Sequence, residues 1–299
     1  MGANTDINEF RVLLRRKIKL HPVWADLPRL IRLSEQEDVA LSELEPIIDR
    51  NPGLAANILR IANSAYMGNQ EPIFSIHHAV SVLGLRTVRS IALSALHSTL
   101  NRSQRSVRGF DATAFCKRSQ ALALVCRKRC ERLANVVLAE SGFEAGLFQE
   151  LGYLVLLEER PDLLSLLIGA ARQMPHTDLY EIEPQVLGFT HAELGAALAE
   201  EWSFPEHLVE AIRWHHEPLK ASPEYAPLVD RAHYASWFCY EAKLPPFPGT
   251  GGHELNDLVL SRIQQSVEIG VELASPTEQE KADVVRLSTE AAENLLDAA

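Results

Sequence analysis

The sequence predicts an all-α fold, because helix signals recur along most of its 299 residues. Asn51-Pro52 places a capping residue before a proline that suits a first helical position. Thr190-His191-Ala192-Glu193 has the pattern of a capping box, which marks a helix start. Apolar residues recur at helical spacing, and we find no alternation typical of a strand. Together these observations favour helices packed without a sheet.

The predicted helices follow one another in short segments. After Asn51-Pro52, one apolar face repeats at helical spacing, formed by Leu54, Ile58, Ile61 and Ala62. Gly84 interrupts this pattern and separates it from the next helix. A long helix is predicted over 111–138, and a second one, over 143–157, ends before Arg160-Pro161. Phe204-Pro205 opens a helix that leads to His215 and His216.

The clearest boundary is the run of prolines and glycines over 244–252. We therefore predict an N-terminal helical segment over 1–19, a domain over 20–245 with two helical lobes (20–110 and 111–245), and a C-terminal helical extension over 246–299. The extension carries an apolar stripe formed by Val284, Leu287, Ala291, Leu295 and Leu296. This stripe is expected to pack on the body of the protein or to pair with a second copy in a homodimer.

Composition favours a soluble cytoplasmic protein. The hydrophobic fraction of 46% is enough for a sizeable core, and no stretch of about 18 apolar residues predicts a membrane span. The four cysteines form no Cys-x-x-Cys pair, so reduced thiols are expected. Motifs for acyl transfer, for phosphate-binding loops and for dinucleotide binding are all missing from the sequence.

Charge is divided unevenly between the two halves of the chain. Residues 1–140 hold 20 Lys and Arg against 13 Asp and Glu, whereas residues 141–299 hold 9 against 27. One basic cluster comprises Arg127, Lys128, Arg129 and Arg132. It is either an interaction surface for an acidic partner or nucleotide, or a solvated face attracted to the acidic half. Direct nucleic-acid binding is not expected, because aromatic residues are not interleaved with these cations.

One stretch bears directly on function, namely Gly146-Leu147-Phe148-Gln149-Glu150-Leu151-Gly152. It resembles the Gly-Leu-Leu-His-Asp-Ile-Gly line of the HD phosphohydrolase superfamily, whose adjacent His and Asp bind the catalytic metal. Gln149-Glu150 stands in place of that pair. Since a neutral amide is a far poorer ligand than an imidazole, the resemblance implies the fold without the full metal site.

Further motifs resemble the HDOD domain, a bacterial regulatory relative of the HD superfamily. The N-terminal half matches through Asn51-Pro52-Gly53-Leu54, through the segment over 59–66 with Asn63-Ser64, and through the segment over 76–85 that ends near Gly84. The second half matches around His191, at Trp202-Ser203-Phe204-Pro205 and around His215-His216. This resemblance covers residues 20 to 245 and implies signalling through partner proteins.

The resemblance also implies a degenerate HD pocket formed by Gln149, Glu150, His191, His215 and His216. The first metal histidine of the enzymatic relatives has no counterpart here, and Ser119 stands in the comparable segment. A structural interpretation competes with this one: His191 would bond backbone or an acid at a helix start, and His215-His216 would end a helix. Asn63 and Ser64 are interpreted as structural, with Asn63 bonding backbone groups at a helix end.

The sequence therefore predicts a non-enzymatic regulatory protein that acts through signalling partners, with no catalytic residue, no metal and no cofactor. Two alternatives stay open. One is a metal-dependent phosphohydrolase, such as a cyclic dinucleotide phosphodiesterase, that uses Glu150 and the three histidines. The other is a module that binds a nucleotide without hydrolysing it.

Overall fold

We analysed a computed structural model that describes residues 26, 28–31, 33, 41–49, 52–65, 73–101, 107–252, 254–265 and 276–297. These residues form α-helices without a β-strand, so the predicted all-α fold is confirmed. The N-terminal segment over 1–19, Asn51 and most of the first lobe before residue 41 lie outside the described residues. No single described helix is long and apolar enough to span a membrane, although one bent pair, Ile76–Leu83 with Leu85–Ser98, has that length and composition.

The described helices are numbered here in chain order. The first lobe contains α1 (Leu41–Asp49), α2 (Pro52–Ala65), α3 (Ile76–Leu83) and α4 (Leu85–Asn101). The second contains α5 (Ala112–Cys130), α6 (Val136–Glu140), α7 (Gly142–Phe148), α8 (Leu151–Glu159), α9 (Pro161–Gln173), α10 (Leu179–Val186), α11 (His191–Glu201), α12 (Glu206–Trp214) and α13 (Ala226–Glu241). The chain continues into α14 (Asp257–Gln265) and α15 (Glu278–Asp297).

The first lobe is organised by polar contacts at the ends of its helices. Asn63 donates from Nδ2 to the carbonyls of Leu59 (2.8 Å) and Ile73 (3.0 Å), and its Oδ1 accepts the Ile73 amide (2.8 Å). These are the bonds that the structural interpretation of Asn63 requires. Ser64 lies in α2, which begins at Pro52. Gly84 takes a φ of 79° at the end of α3, a conformation that favours glycine, and α4 begins immediately after it.

The prediction of one helix over 111–138 is wrong. Helix α5 ends at Cys130, and a turn leads to α6, whose start is capped by Asn135 through a bond from the Leu138 amide to its side chain (3.2 Å). A local cap outcompetes continuation of the helix, which periodicity alone does not reveal. The prediction of one helix over 143–157 is also wrong, because the chain breaks between α7 and α8 at Gln149-Glu150.

Two glycines explain the break at Gln149-Glu150. A Cβ on Gly146 would lie 2.4 Å from the Leu122 carbonyl oxygen, and a Cβ on Gly152 would lie 2.0 Å from the His191 carbonyl oxygen. Helix α7 therefore packs its backbone on α5, while α8 packs its backbone on α11. The change of direction between the two helices lets each of them make its own close contact.

A hydrophobic core runs through both lobes without interruption among the described residues. Phe247, in the extension predicted over 246–299, is fully buried and contacts the rings of Phe110, Phe115 and Tyr153. Helix α15 packs along α5 and α4. Of the predicted stripe on α15, Leu295 is buried next to Cys116 and Val284 packs against the core, whereas Leu287 is 42% exposed. The side chain of Leu296 lies outside the described residues. Packing of this stripe on a second copy stays a prediction.

Candidate functional site

Gln149 and Glu150 lie buried between α7 and α8, next to α5. Glu150 accepts a hydrogen bond from Arg118 Nε at 2.7 Å, and both side chains are only 3% exposed. The other nitrogens of Arg118 donate to the Leu244 carbonyl and to Ser236 Oγ. Burial opposes the charge on Arg118, but the adjacent Glu150 carboxylate outweighs it and raises the pKa of Arg118. A buried guanidinium thus lies beside the carboxylate that would bind the metal.

Gln149 is completely buried, and neither its amide nitrogen nor its amide oxygen has a hydrogen-bond partner among the described residues. Ser119, in the segment where a histidine is expected in enzymatic relatives, donates to the Phe115 carbonyl at 3.0 Å within its own helix. The pair Gln149-Glu150 and Ser119 therefore present no imidazole to a metal ion.

His191 begins α11, where Thr190 and Glu193 form the predicted capping box. Glu183 on α10 holds the imidazole ring, because its carboxylate oxygens lie 2.8 and 2.9 Å from His191 Nδ1. The same carboxylate accepts the His191 backbone N–H at 2.8 Å and the Tyr153 hydroxyl at 2.6 Å. Since a carboxylate with three donors is an acceptor only, Nδ1 carries the proton and Nε2 carries the lone pair.

His215 follows α12 and is also fully buried. Its Nδ1 lies 2.8 Å from the Ile212 carbonyl oxygen, which can only accept, so His215 Nδ1 carries the proton. The Nε2 atoms of His191 and His215 are 3.2 Å apart. When both rings are neutral, two nitrogen lone pairs therefore point at each other, an arrangement that a shared proton or a bound cation would relieve.

His216 completes the cluster. Its ring stacks on Tyr180 at 4.4 Å between centroids, and its Nδ1 lies 3.7 Å from Asp178 Oδ2. The Tyr180 hydroxyl donates to Glu217 at 2.7 Å. Burial raises the pKa of Asp178 to about 6, and burial together with the bond to Glu217 raises the pKa of Tyr180. His216 is thus the member of the cluster that faces the acidic side of the site.

Sequence reasoning missed the residues that hold these histidines in place. Glu183 orients His191, and His233 on α13 holds the backbone of His215 through its Nδ1, 2.7 Å from that carbonyl. Burial lowers the pKa of His233 to about 4, so the ring is neutral at pH 7. Nothing in the spacing of Glu183 or His233 points to the cluster, because they come from helices packed together only in the fold.

The three histidines are arranged as metal ligands can be. Single ligand atoms of His191, His215 and His216 all lie within 4.8 Å of one another. Two nitrogens bound tetrahedrally to zinc, each about 2.0 to 2.1 Å from the ion, are about 3.3 Å apart, close to the 3.2 Å between the two Nε2 atoms. Carboxylate and carbonyl partners on the opposite ring nitrogens are usual around such ligands. These histidines fit a divalent cation, whereas Gln149 and Glu150 do not.

A cleft of about 880 Å³ adjoins His216 and is bordered by the segments before α10 and before α14. Its lining includes five carboxylates and neither a lysine nor an arginine among the described residues; the five are Asp178, Glu181, Glu217, Glu254 and Asp257. The approach to His216 is therefore electronegative, which favours cations and disfavours anions.

The basic cluster is divided by the structure. Arg129 is engaged with Tyr234, since its Nη2 donates to the hydroxyl at 2.9 Å and its guanidinium lies over the ring. Arg127 lies over the Phe143 ring and lines a second cleft. Lys128 and Arg132 are exposed and form no ion pair with any residue that the structure describes. Arg129 is thus the member of the cluster that is bound within the fold, whereas Arg127, Lys128 and Arg132 are exposed.

Comparison with known proteins places this geometry in a family. Residues 22–218 match the HDOD domain. An uncharacterised protein of Treponema pallidum (strain Nichols) is 30% identical over 69% of this chain, and the chain spans only 39% of that relative's length. A crystal structure of an HDOD domain protein of unknown function from Geobacter sulfurreducens aligns with a TM-score of 0.70 at 22% identity, over 97% of this chain and 98% of that one.

Two other solved structures share the fold. A protein of Marinobacter aquaeolei VT8, named provisionally for signal transduction, has a TM-score of 0.71 at 20% identity, over 99% of this chain and 64% of that one. A protein of Shewanella amazonensis SB2B, named provisionally as a phosphohydrolase, has a TM-score of 0.65 at 22% identity, over 100% and 99%. The motifs, the helical architecture and the family match agree, and the chain belongs to the HDOD family.

Proposed function

We propose that this protein is a non-catalytic regulatory module that acts through contacts with signalling proteins. The observation that carries this proposal is the buried ion pair between Arg118 and Glu150. In the position where HD phosphohydrolases hold a metal with a carboxylate, this chain holds its own cation. A metal ion bound to Glu150 would lie against the Arg118 guanidinium and would have to displace its hydrogen bond.

The acidic cleft supports the same proposal. A phosphate ester that approached the histidines through the described cleft would meet five carboxylates and no neutralising lysine or arginine. Phosphoryl transfer relies on cations that stabilise the charge on the transferring group. The site therefore disfavours the predicted alternative of a phosphohydrolase that uses Glu150 with the histidines.

The proposed partner surface comprises Lys128, Arg132 and the exposed residues Val136 and Val137. Lys128 lies in the last turn of α5, Arg132 follows that helix, and Val136 and Val137 begin α6; the two valines are 65% and 50% exposed. Unpaired cations beside exposed apolar side chains suit an acidic protein surface, since complementary charge promotes encounter and apolar contact promotes retention.

The partner surface is tested by cross-linking the protein in the cells that produce it and identifying the products by mass spectrometry. We expect the double variant Lys128→Glu/Arg132→Glu to lose a product that the unmodified chain forms. The control Lys243→Glu/Arg286→Glu makes the same change of charge at two exposed positions outside this surface, in the turn after α13 and on α15, and is expected to retain the product. Equal products from both variants would exclude this surface.

Catalysis is tested with bis(p-nitrophenyl) phosphate and cyclic diguanylate in the presence of Mn²⁺, Fe²⁺ or Mg²⁺. We expect no turnover above buffer for the purified protein. Turnover of either substrate that disappears in His191→Ala would contradict the non-catalytic proposal, because it would place a working metal at the histidines.

A second function, cation binding without hydrolysis, is favoured by the facing Nε2 atoms of His191 and His215. His191, His215 and His216 would hold the ion, and Glu183 would orient the first of them. When bound, such an ion would supply a fixed positive charge that links α11 to the end of α12. The protein would then respond to metal through the relative position of these helices.

Equilibration with Zn²⁺ followed by elemental analysis tests this second function. We expect about one zinc per chain, consistent with a single three-histidine site. His215→Ala is expected to lose the metal, whereas His77→Ala, which removes an exposed histidine on α3, is expected to keep it. Zinc that survives both substitutions would mean that the cluster is not the site.

A further inference from the structure

We propose that a second cleft, formed by α2, α4, α5, α6, α7 and α15, binds a small phosphorylated ligand whose body carries hydrogen-bond acceptors, of the class of nucleoside phosphates. The cleft shares no lining residue with the acidic cleft beside His216. This inference goes beyond the proposed function and does not depend on it.

The cleft consists of two adjoining chambers of about 500 Å³ and about 150 Å³. They share a border formed by Thr87, Ser90, Arg127 and Phe143. Pockets for small molecules commonly measure about 300 to 1,000 Å³, so the larger chamber is of the right size. The smaller one, which includes apolar residues of α2 and α15, extends it.

Three arginines and two glutamates line the larger chamber. Arg86, Arg89 and Arg127 come from α4 and α5, and Glu131 and Glu140 complete the charged part of the lining. Arg86 pairs with Glu140 at the surface and is 72% exposed, whereas Arg89 lies 3.4 Å from Glu144 with only 9% of its side chain exposed. The Nε–H of Arg89 has no hydrogen-bond partner among the described residues. Arginines in this number can bind a phosphate through paired N–H donors.

The smaller chamber is bordered by two buried amides with unused donors. Gln120, 3% exposed, accepts from Ser94 Oγ at 3.1 Å through Oε1, and its Nε2 has no partner among the described residues. Asn57, 1% exposed, accepts from Arg60 through Oδ1, and its Nδ2 is likewise unpartnered in the described chain. Buried donors left unpaired are costly, so the two amides are suited to acceptors on a ligand.

These observations together define the ligand chemistry. The larger chamber provides three guanidinium groups against the carboxylates of Glu131 and Glu140. The smaller chamber provides N–H groups that have no partner in the described chain, next to the apolar side chains of Ile61, Ile91 and Leu124. A phosphate group suits the first, and a flat ring that carries nitrogen or oxygen acceptors suits the second. A simple anion would use only the first chamber and would leave the two amides unpaired.

Isothermal titration calorimetry with adenosine diphosphate, guanosine diphosphate, adenosine and pyrophosphate tests the proposal. We expect adenosine diphosphate to bind one per chain, and adenosine to bind at least about tenfold more weakly because it lacks the phosphates. Arg127→Gln, an exposed position that leaves the buried pair of Arg89 intact, is expected to weaken binding by about tenfold or more. Arg108→Gln makes the same change at an exposed arginine outside the cleft and is expected to leave binding unchanged.

Gln120→Met distinguishes the two chambers, because it removes a donor and keeps the volume similar. We expect it to weaken adenosine diphosphate and to leave pyrophosphate unchanged. Three results would overturn the proposal: no binding of adenosine diphosphate or guanosine diphosphate at about 1 mM, equal losses in Arg127→Gln and Arg108→Gln, or pyrophosphate binding as tightly as the nucleotide. The variants leave Lys128, Arg132, Val136 and Val137 of the proposed partner surface unchanged, although Val136 also lines the larger chamber, so these results do not bear on the proposed function.

Discussion

Two buried polar centres lie side by side in the second lobe, and they treat a cation in opposite ways. At Arg118-Glu150 the positive charge is part of the chain, and the carboxylate already accepts from it. At His191-His215 the two lone pairs face each other at 3.2 Å, and the partners on the far nitrogens fix the rings in that orientation. The comparison teaches that two polar centres of one buried core can differ in kind: one pairs its carboxylate with a cation of the chain, and the other leaves two imidazole nitrogens facing each other.

The largest expected effect comes from breaking the buried ion pair between Arg118 and Glu150. Arg118→Met should lower the free energy of unfolding by about 3 to 5 kcal/mol, because it leaves the Glu150 carboxylate buried and unpaired. The double variant Arg118→Met/Glu150→Leu should recover most of this loss. Urea denaturation of the two variants provides the measurement, and a loss below about 1 kcal/mol in the single variant would show that water reaches Glu150.

Glu183→Gln probes the centre formed by His191 and His215. The amide cannot accept all three hydrogen bonds that the carboxylate receives, so the His191 ring loses its fixed orientation. We expect zinc affinity to fall by about 10-fold to 100-fold, the usual effect of removing a partner of a metal ligand. Titration with Zn²⁺ at a matched folded fraction measures it, and unchanged affinity would separate Glu183 from the site.

His97 provides a third buried polar group, which has no partner at either ring nitrogen among the described residues. Burial lowers the pKa of His97 to about 4, so its neutral form is favoured in the folded chain. The stabilisation is complete above pH 6.5 and is lost as the pH falls towards 4, because the unfolded chain takes up the proton first. Between pH 7 and 5 the loss due to His97 should be about 2 kcal/mol.

The substitution His97→Leu isolates this contribution. His207 and His233 also have pKa values lowered by burial to about 4, so the variant should retain part of the pH dependence. Urea titrations of both proteins at pH 7 and pH 5 measure the difference. A variant whose stability falls as steeply as that of the unmodified protein would contradict the assignment to His97.

The smallest expected effect is that of replacing Gln149, and it distinguishes this residue from its neighbour Glu150. Gln149→Leu should leave the free energy of unfolding unchanged or raise it by about 1 kcal/mol, because it removes a buried amide that has no partners in the described chain. Glu150→Leu is the matched control and should cost about 3 kcal/mol or more, since it leaves Arg118 buried without its carboxylate. Equal costs for the two substitutions would remove the distinction between them.

Local signals in the sequence predicted the features that depend on neighbouring residues. The capping box at Thr190 and Glu193 is present, and so is the helix start at Pro52, because both are determined within one turn. The Arg118-Glu150 pair joins residues that are 32 positions apart, and no local pattern in the sequence links them. The basic residues that follow Arg118 on α5 were predicted only as a surface cluster. The turn at Gln149-Glu150 depends on the contacts of α7 and α8 with different helices, which periodicity does not contain.

Phe247 lies beyond the residues that match the family, yet it belongs to the same hydrophobic core. The family match ends at residue 218, and a chain cut there would keep His191, His215 and His216. It would lose His233, which holds the His215 backbone, and Phe247, whose ring lies between those of Phe110 and Tyr153. Such a fragment would contain the motifs that define the family and would lack the aromatic ring and the imidazole that keep them in place. The residues that match the family therefore end before the residues that complete the core and support the histidines.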